Sequence, residues 1–591
     1  MRAQRMVVLA SSLIAAAFLA LPAMADWPTL GREITGALED QVFPRVASDG
    51  NSGAIVVWLD GRDPLNNVFA RRVQASGELD PAWPVDGLAV LSDPLSLASA
   101  AGGQGAPVVV SDGGSGAIIA WQDARSGTSG LDIFAQHVLR SGVVDPAWPA
   151  NGLALVTVRG DQQLPQIVSD GAGGAIVCWM DGRSGITGVD IFAQHVLASG
   201  VVDPSWPANG VALSTAADLQ ANPQLVSDGS GGAVVTWQDL RSGTPDADIF
   251  AQHLKATGVV DPAWPVNGRA LTLAAGTQVN PTIASDRLHG AIVAWEDARD
   301  GSSHIFAQHV LGSGAIAPGW PANGLAVVTA SGGDRQPLIV SDGTTPGAAG
   351  SGAIVTWQDA RSGTSHDPFV QHVLPTGTVD PVWPVNGRAL STSNREETAA
   401  SIVGDGAGGA IVAWAEDPFI FVHHVRASGT LDPTFPVNGR PVRAAQTFQH
   451  DPALVAVGAG AASGAIVAWD DRAPGSDTNI FAMIVPTEAT AGVDPELSGP
   501  GLALSRRGPS PARGPVTLSF ALPHEAAVRL GIYDVGGRRV RELVSGVAES
   551  GAHDVVWDLR DENGQRLPPG VVFARLDVEG QALSTKLVTV R

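Results

Sequence analysis

A tryptophan closes an apolar run eight times along the chain, at Trp58, Trp121, Trp179, Trp237, Trp295, Trp357, Trp414 and Trp469, with spacings of 63, 58, 58, 58, 62, 57 and 55 residues. A near-fixed period of this length confines the chain to repeat architectures, in which one small unit recurs and buries its faces against its neighbours. The clearest copy, Pro165 to Leu213, reads P-Q-I-V-S-D-G-A-G-G-A-I-V-C-W-M-D-G-R, a short loop, then D-I-F-A-Q-H-V-L-A-S-G-V-V-D-P-S-W-P-A-N-G-V-A-L. Four short β segments are predicted, each bounded by turn residues: Gln166 to Ser169, Ala175 to Trp179, Ile191 to Leu197 and Val211 to Ser214. The second is apolar on both faces, as expected of a strand covered on both sides. Of the 591 residues, 71 are Gly and 41 Pro, with no collagen-like triplet. They punctuate the units.

A four-stranded unit repeated eight times predicts an all-β fold, an eight-bladed β-propeller, with a β-solenoid as the competitor. The termini favour a ring. Trp27-Pro28-Thr29-Leu30-Gly31-Arg32-Glu33-Ile34-Thr35 matches the approach to the fourth strand in later copies, such as Trp264-Pro265-Val266-Asn267-Gly268-Arg269-Ala270-Leu271-Thr272. The eighth copy loses the pattern after its third segment, Asn479 to Val485. Closure is therefore expected either from the N-terminal strand or from residues 501–504, Gly-Leu-Ala-Leu.

Residues kept in register belong first to the frame. The Trp58 series, and a second series at Trp83, Trp148, Trp206, Trp264, Trp320 and Trp383 in Pro-flanked loops, are expected to pack between blades rather than stack on carbohydrate. Asp and Arg recur two residues apart, as Asp123/Arg125, Asp181/Arg183, Asp239/Arg241, Asp297/Arg299 and Asp359/Arg361, and as Asp471/Arg472 in a shifted form. They are expected to pair within their own blade or across to the next. His137, His195, His253, His309, His372 and His424 would sit in different blades, too far apart to share one ion, so a hydrogen-bonded structural role is expected. The Asp-Gly-x-Gly-Gly turns lack the clustered oxygens that calcium takes.

No residue is singled out as catalytic, cofactor-binding or metal-binding, and no cofactor is expected. G-x-S-x-G, H-E-x-x-H and P-loop motifs are missing. The single tyrosine, Tyr533, lies outside the repeats, which excludes a propeller sialidase. Only two lysines occur, Lys255 and Lys586, and the Trp-docking pattern of quinoprotein dehydrogenases is not found. A formal charge of -22 leaves no cation excess for nucleic acid. Departures from the repeat are where a rigid scaffold carries function: the insertion Asp93 to Ala106, the insertion Thr344 to Ser351, and Glu416-Asp417-Pro418 in place of Asp-x-Arg.

Residues 1–25 carry Arg2, Arg5, an apolar run from Met6 to Leu21 and Ala23-Met24-Ala25, the pattern of a secretory signal. No transmembrane segment is expected in the mature chain, and the lone thiol, Cys178, has no disulfide partner. The propeller is expected over residues 26–492. Residues 493–514 form a linker and the start of a C-terminal domain. That domain, 515–591, is expected to be a small β-sandwich with strands at Val516 to Leu522, Ala527 to Tyr533, Val540 to Val544, His553 to Trp557, Val571 to Val578 and Thr585 to Val590.

Leu522-Pro523, Ile532-Tyr533-Asp534 with Gly537-Arg538, Gly551-Ala552-His553, Val556-Trp557-Asp558, Asn563-Gly564 and Pro569-Gly570-Val571 occur in order. This stretch resembles the immunoglobulin-like domain of flagellar hook-capping proteins and the similar C-terminal sorting domain of type IX secretion. Two positions depart: the family's Asn-Pro-Phe-Asn opening is Pro509-Ser510-Pro511-Ala512-Arg513, and its Gly-Val-Tyr-Phe is Gly570-Val571-Val572-Phe573. The repeats look like the propeller-type units that precede such domains in bacterial secreted proteins. The resemblance implies export by a secretion machinery, to the medium or the cell surface. The function expected is binding or adhesion to an extracellular ligand, glycan or protein. The alternatives are a polysaccharide-active hydrolase or lyase and a purely structural envelope component.

Overall fold

The computed structural model describes residues 27–589 apart from 29, 63–65, 91–102, 126–129, 186–187, 244–245, 331, 345–349, 364, 444–446, 459–463, 474, 488–502, 508–515, 523–525, 535–537, 549–550, 563 and 579–580. The signal-like leader and most of the two insertions lie outside the described residues. Among those described, every regular element but a single 3₁₀ residue is a strand or a turn.

The repeated region forms eight antiparallel sheets, and in the first seven blades the strands pair in chain order, with a short extra strand, Thr378–Val379, in blade six. In blade three they are Gln162–Ser169, Ala175–Asp181, Asp190–Val196 and Val211–Ser214. The first strand begins four residues earlier than expected because it carries a bulge: pairing is lost between Gln163 and Gln166, and Leu164 takes φ 51°. The same left-handed residue recurs in the first strand of six other blades, at Phe43, Ala106, Asn222, Asn280, Gln336 and Asp451, with φ between 46° and 56°. A bulge turns one side chain out of the ladder and bends the strand.

The second strands are buried on both faces because cores lie between blades. Ile176, Cys178, Ile191 and Ala193 of blade three pack with Leu225, Val235, Trp237 and Phe250 of blade four. First strands touch their neighbours' first strands all the way round, and the last, Phe448–Val457, meets the first, Gln41–Ser48. The ring is closed.

The N-terminal strand closes it. Arg32–Glu33 pairs with Thr478–Pro486, Arg32 opposite Ala482 and Glu33 opposite Phe481, as the fourth strand of blade eight. Gly31, at φ 75°, brings backbone against the Trp469 ring so closely that a Cβ would stand 2.7 Å from it. Trp27 Nε1 donates to Ala75 O at 3.1 Å, as Trp206 Nε1 does to Ala256 O at 3.1 Å. The rival segment is used elsewhere: Ala503–Arg507 pairs with Val516–Leu522 in the C-terminal domain.

That domain has a sheet of Ala503–Arg507, Val516–Leu522 and Gly551–Trp557, and a sheet of Arg539–Ala548, Ala526–Asp534, Gly570–Val578 and Gln581–Thr589. Alternate residues of both, including Leu518, Phe520, Leu530, Ile532, Trp557 and Leu576, make one core. This is the small sandwich expected.

Candidate functional site

Call the front of the ring the end where each second strand turns into the third, and the back the end where the first turns into the second. At the front of blade three, Trp179 Nε1 donates to Asp181 Oδ2 at 2.7 Å. Arg183 forks onto both oxygens of the same carboxylate at 2.8 and 2.6 Å and donates to Asn209 O at 2.7 Å. Its guanidinium lies 3.8 Å over the Phe192 ring. The Asp-x-Arg pair therefore works inside its own blade, tying the second, third and fourth strands together. Asp60, Asp123, Asp239, Asp297 and Asp359 repeat the arrangement.

Blade eight corrects one expected pair. Asp471 is reached by Arg443 at 3.1 Å, whose guanidinium lies 4.0 Å over Phe481. Arg472 instead donates to Ser476 O. The shifted spacing places Arg472 out of reach of the fork geometry, and an arginine after the previous blade's fourth strand fills the place.

At the back, His195 Nε2 lies 2.9 Å from Asp170 Oδ2 in the first turn and its Nδ1 2.8 Å from Asp203 Oδ2 in the Asp-Pro-x-Trp loop. Asp170 Oδ1 accepts the amides of Ala172 and Gly174, so the turn consumes its own carboxylate. His137, His253, His372 and His424 are clamped in the same way, Arg72 takes the place in blade one, and His309 has one carboxylate only, since Ala317 replaces the second. Burial alone would discharge these rings. The two carboxylate bonds outweigh it and hold His137, His253, His372 and His424 above the ordinary imidazole range. Asp342, likewise acting against its burial, is drawn down to about 2 by His372 and the Thr344 bonds. Among the described residues no group of three His, Cys, Asp or Glu is placed to hold a metal ion.

The second tryptophan series joins blades. Trp148 Nε1 donates to Ala198 O of the next blade at 3.2 Å, and Gly200, at φ 78°, sits on its ring. These indoles are buried. Cys178 is buried too, and burial pushes its thiol up.

Two buried acids break the frame. A buried Gln stands at the start of the first strand in six blades (Gln41, Gln104, Gln162, Gln220, Gln278, Gln449), and the same place holds Asp334, just before the strand, in blade six and Glu397 in blade seven. Trp414 donates to Glu397 Oε1 at 3.0 Å, not to Glu416. Burial and then the Asp359 carboxylate push Asp334 up; burial, opposed by the Ser391 bond and reinforced by Glu416, pushes Glu397 up. Both lie beneath the surface, so they belong to the frame.

The surface that varies is the inner rim at the front, formed by the bulge residues and by the second-strand residue before each Asp. In blades one to three it is largely apolar: Phe43 and Leu59, Ala106 and Gln122, Leu164 and Met180, with Phe43 49% and Leu164 41% exposed. In blades four to six it is a connected polar chain, whereas blade seven has the buried Ala415 before its acid. Asn222 Nδ2 donates to Gln238 Oε1 at 3.1 Å, and Asn280 Nδ2 to Glu296 Oε1 at 2.9 Å. Glu296 Oε1 also accepts the Gln336 amide, and Gln336 Oε1 accepts Gln358 Nε2, each at 2.7 Å. Arg335 continues it, Nε to Gln358 Oε1 at 3.1 Å and Nη2 to Glu396 Oε1 at 2.9 Å, where His366 Nδ1 also lies 2.8 Å away. Arg395 pairs with Glu416 at 3.6 Å. Blade eight ends the circuit with His450, Asp451 and Asp470. Burial, then Asp451 and the nearby Asp471, opposed by His450, push the Asp470 carboxyl up to about 6.

Of the departures noticed in the sequence, Glu416-Asp417-Pro418 adjoins this rim, and the first insertion ends on it at Ala106. The rim itself was missed. Its signal was present: the residue two after the buried Gln, and the one before each Asp, vary while their neighbours repeat.

A sequence model of the FlgD Ig-like domain matches residues 510–573, and the C-terminal resemblance therefore stands. No curated protein matches the chain. Solved structures that match include a polysaccharide lyase of family PL25, an ulvan lyase, at 11% identity over 77% of this chain and 96% of that one, with a TM-score of 0.39. The polysaccharide lyase Uly1 matches at 10% identity over 63% and 88%, with a TM-score of 0.34. The endo-arabinase from Bacteroides thetaiotaomicron VPI-5482 matches at 12% over 48% and 97%, with a TM-score of 0.26. The chain is an eight-bladed propeller followed by a FlgD-like immunoglobulin domain.

Proposed function

We propose that the protein is an extracellular binding or adhesion module that holds its ligand at the front inner rim of the propeller and is exported through its C-terminal domain. The observation that carries this is the contrast in side chains: positions that hold the frame repeat from blade to blade, while the bulge position changes round the ring, from Phe43, Ala106 and Leu164 to Asn222, Asn280, Gln336 and Asp451. A half-apolar, half-polar surface with its polar groups already bonded to one another is preorganised for a ligand with both kinds of surface. The signal-like leader and the sorting-like domain support the extracellular address, and among the described residues no helix is long and apolar enough to cross a membrane.

The test is to probe the full mature chain on arrays of glycans and of extracellular proteins, wild type against a rim variant carrying Phe43→Ala, Asn280→Ala and Gln336→Ala. Binding that the variant loses supports the reading. Binding that it keeps, or none to any member, overturns it. Deleting residues 503–591 should abolish the extracellular fraction. The runner-up, cleavage of a polysaccharide, is favoured by Asp470, a carboxyl that keeps its proton up to about pH 6 beside His450. Release of reducing ends from a bound polysaccharide would establish it over binding alone.

A further inference from the structure

In blade eight a cleft of about 390 Å³ opens among Phe448, His450, Asp470, Arg472 and Thr478. Register puts these side chains on one sheet face: Phe448 stands opposite Arg472, His450 opposite Asp470, and Thr478 opposite Arg472. Phe448 is 47% exposed. Asp470 is the opposite case, only 7% exposed, with an Oδ1 that has no hydrogen-bond partner. A buried polar atom without a partner costs about 1–3 kcal/mol unless something meets it. Here it lines an open cleft.

We propose that this cleft is the seat of a sugar ring of an uncharged glycan, with Phe448 against the ring's C–H face and Asp470 bonded to its hydroxyls. The proposal rests on the rim being the ligand-binding surface. An exposed aromatic face beside a buried carboxyl and an arginine suits a molecule that is apolar on its faces and hydroxylated at its edge. A volume at the lower end of ligand sites, about 300–1,000 Å³, suits one or two rings rather than a protein loop.

Charge argues for a neutral sugar. Arg335 is paired with Glu396 at 2.9 Å and Arg395 with Glu416 at 3.6 Å. Arg472, which lines the cleft, donates to Ser476 O. A uronate or sulfate entering the rim would therefore meet Arg335 and Arg395 already paired, beside the Asp470 carboxyl and on a chain of net charge -22.

The experiment uses the full mature chain on an array of neutral, uronic and sulfated glycans, followed by calorimetry with the best neutral oligosaccharide. Phe448→Ala and Asp470→Asn are compared with wild type, with thermal melting as a check that both fold. Neutral glycans should bind, and each substitution should weaken affinity tenfold or more without lowering the melting temperature by more than a few degrees. If a neutral glycan binds but both variants keep wild-type affinity while the Phe43/Asn280/Gln336 rim variant loses it, the rim is the site and this cleft is not the seat. Selective binding of uronic or sulfated glycans, or of peptides alone, overturns the sugar class and leaves the rim reading intact.

Discussion

Blade three and blade seven share a backbone and differ in how they satisfy the same indole. In blade three Trp179 bonds Asp181, and Arg183 forks onto that carboxylate from two residues on. In blade seven Pro418 stands where the arginine would be, and Trp414 turns to Glu397, on the first strand. A buried N–H must find an acceptor, but the fold does not dictate which strand supplies it. The front rim obeys no comparable rule. Its bulge side chains are exposed or half-buried, so the blades are free to differ there, and identity at that position reports on use rather than on folding.

The widest gap between these regions is expected from the buried acids. Asp181→Ala leaves Trp179 and Arg183 without their acceptor and should cost about 3–5 kcal/mol, the range for breaking a buried charged pair. Glu397→Ala should be comparably damaging, whereas Glu416→Ala should cost under about 1 kcal/mol. Urea unfolding of the three variants checks this, and equal losses for Glu397 and Glu416 would break the account of blade seven. Gly31→Val forces a side chain into the Trp469 ring at an unfavourable φ and should destabilise by about 2–4 kcal/mol through strain and overpacking. A wild-type melting curve would detach blade eight from N-terminal closure.

The back clamps come next. Asp203→Ala makes blade three resemble blade five, where His309 lives with one carboxylate, and should cost about 1.5–3 kcal/mol, the value of a charged hydrogen bond. The sign of the pH dependence follows from linkage. Imidazoles held above their ordinary 6.5 contribute fully below that pH and lose their contribution as pH rises through the raised value. Aspartates held below 3.8 contribute fully above it and lose their share as pH falls through the lowered value, for Asp342 toward about 2. The histidine clamps therefore make the melting temperature decline as pH rises above 6.5, and the buried Asp334 and Glu397, whose carboxyls are pushed up in the fold, add to the loss because the unfolded chain sheds their protons first. A flat profile from pH 5 to 9 would remove them from the stability account. The smallest effect is expected at the rim: Asn280→Ala with Gln336→Ala should shift stability by under about 1 kcal/mol, as for exposed groups.

Much of this fold was written in runs and turns. The strands of blade three, the six expected C-terminal strands and the orphan strand at Arg32–Glu33 all follow local patterns of apolar residues between Gly, Pro, Asn and Asp. What escaped depends on contacts between residues far apart in sequence. The bulge at Leu164 was hidden because Gln162 earns its burial from the neighbouring blade, whose Leu131 carbonyl accepts its amide. Arg443 was not recognisable as a partner of Asp471, 28 residues away, once Arg472 stood next to it. The rim draws on single residues from successive blades, and no window of one repeat contains it.

Ring closure also has a consequence in time. Arg32 and its partner Ala482 are separated by 450 residues, which at about 5–20 residues per second takes roughly 20 to 90 s to synthesise. The Trp27 anchor needs only Ala75 and Gly77. Blade one can thus hold the first strand in place, as a docked and waiting edge, long before the blade it completes has been made.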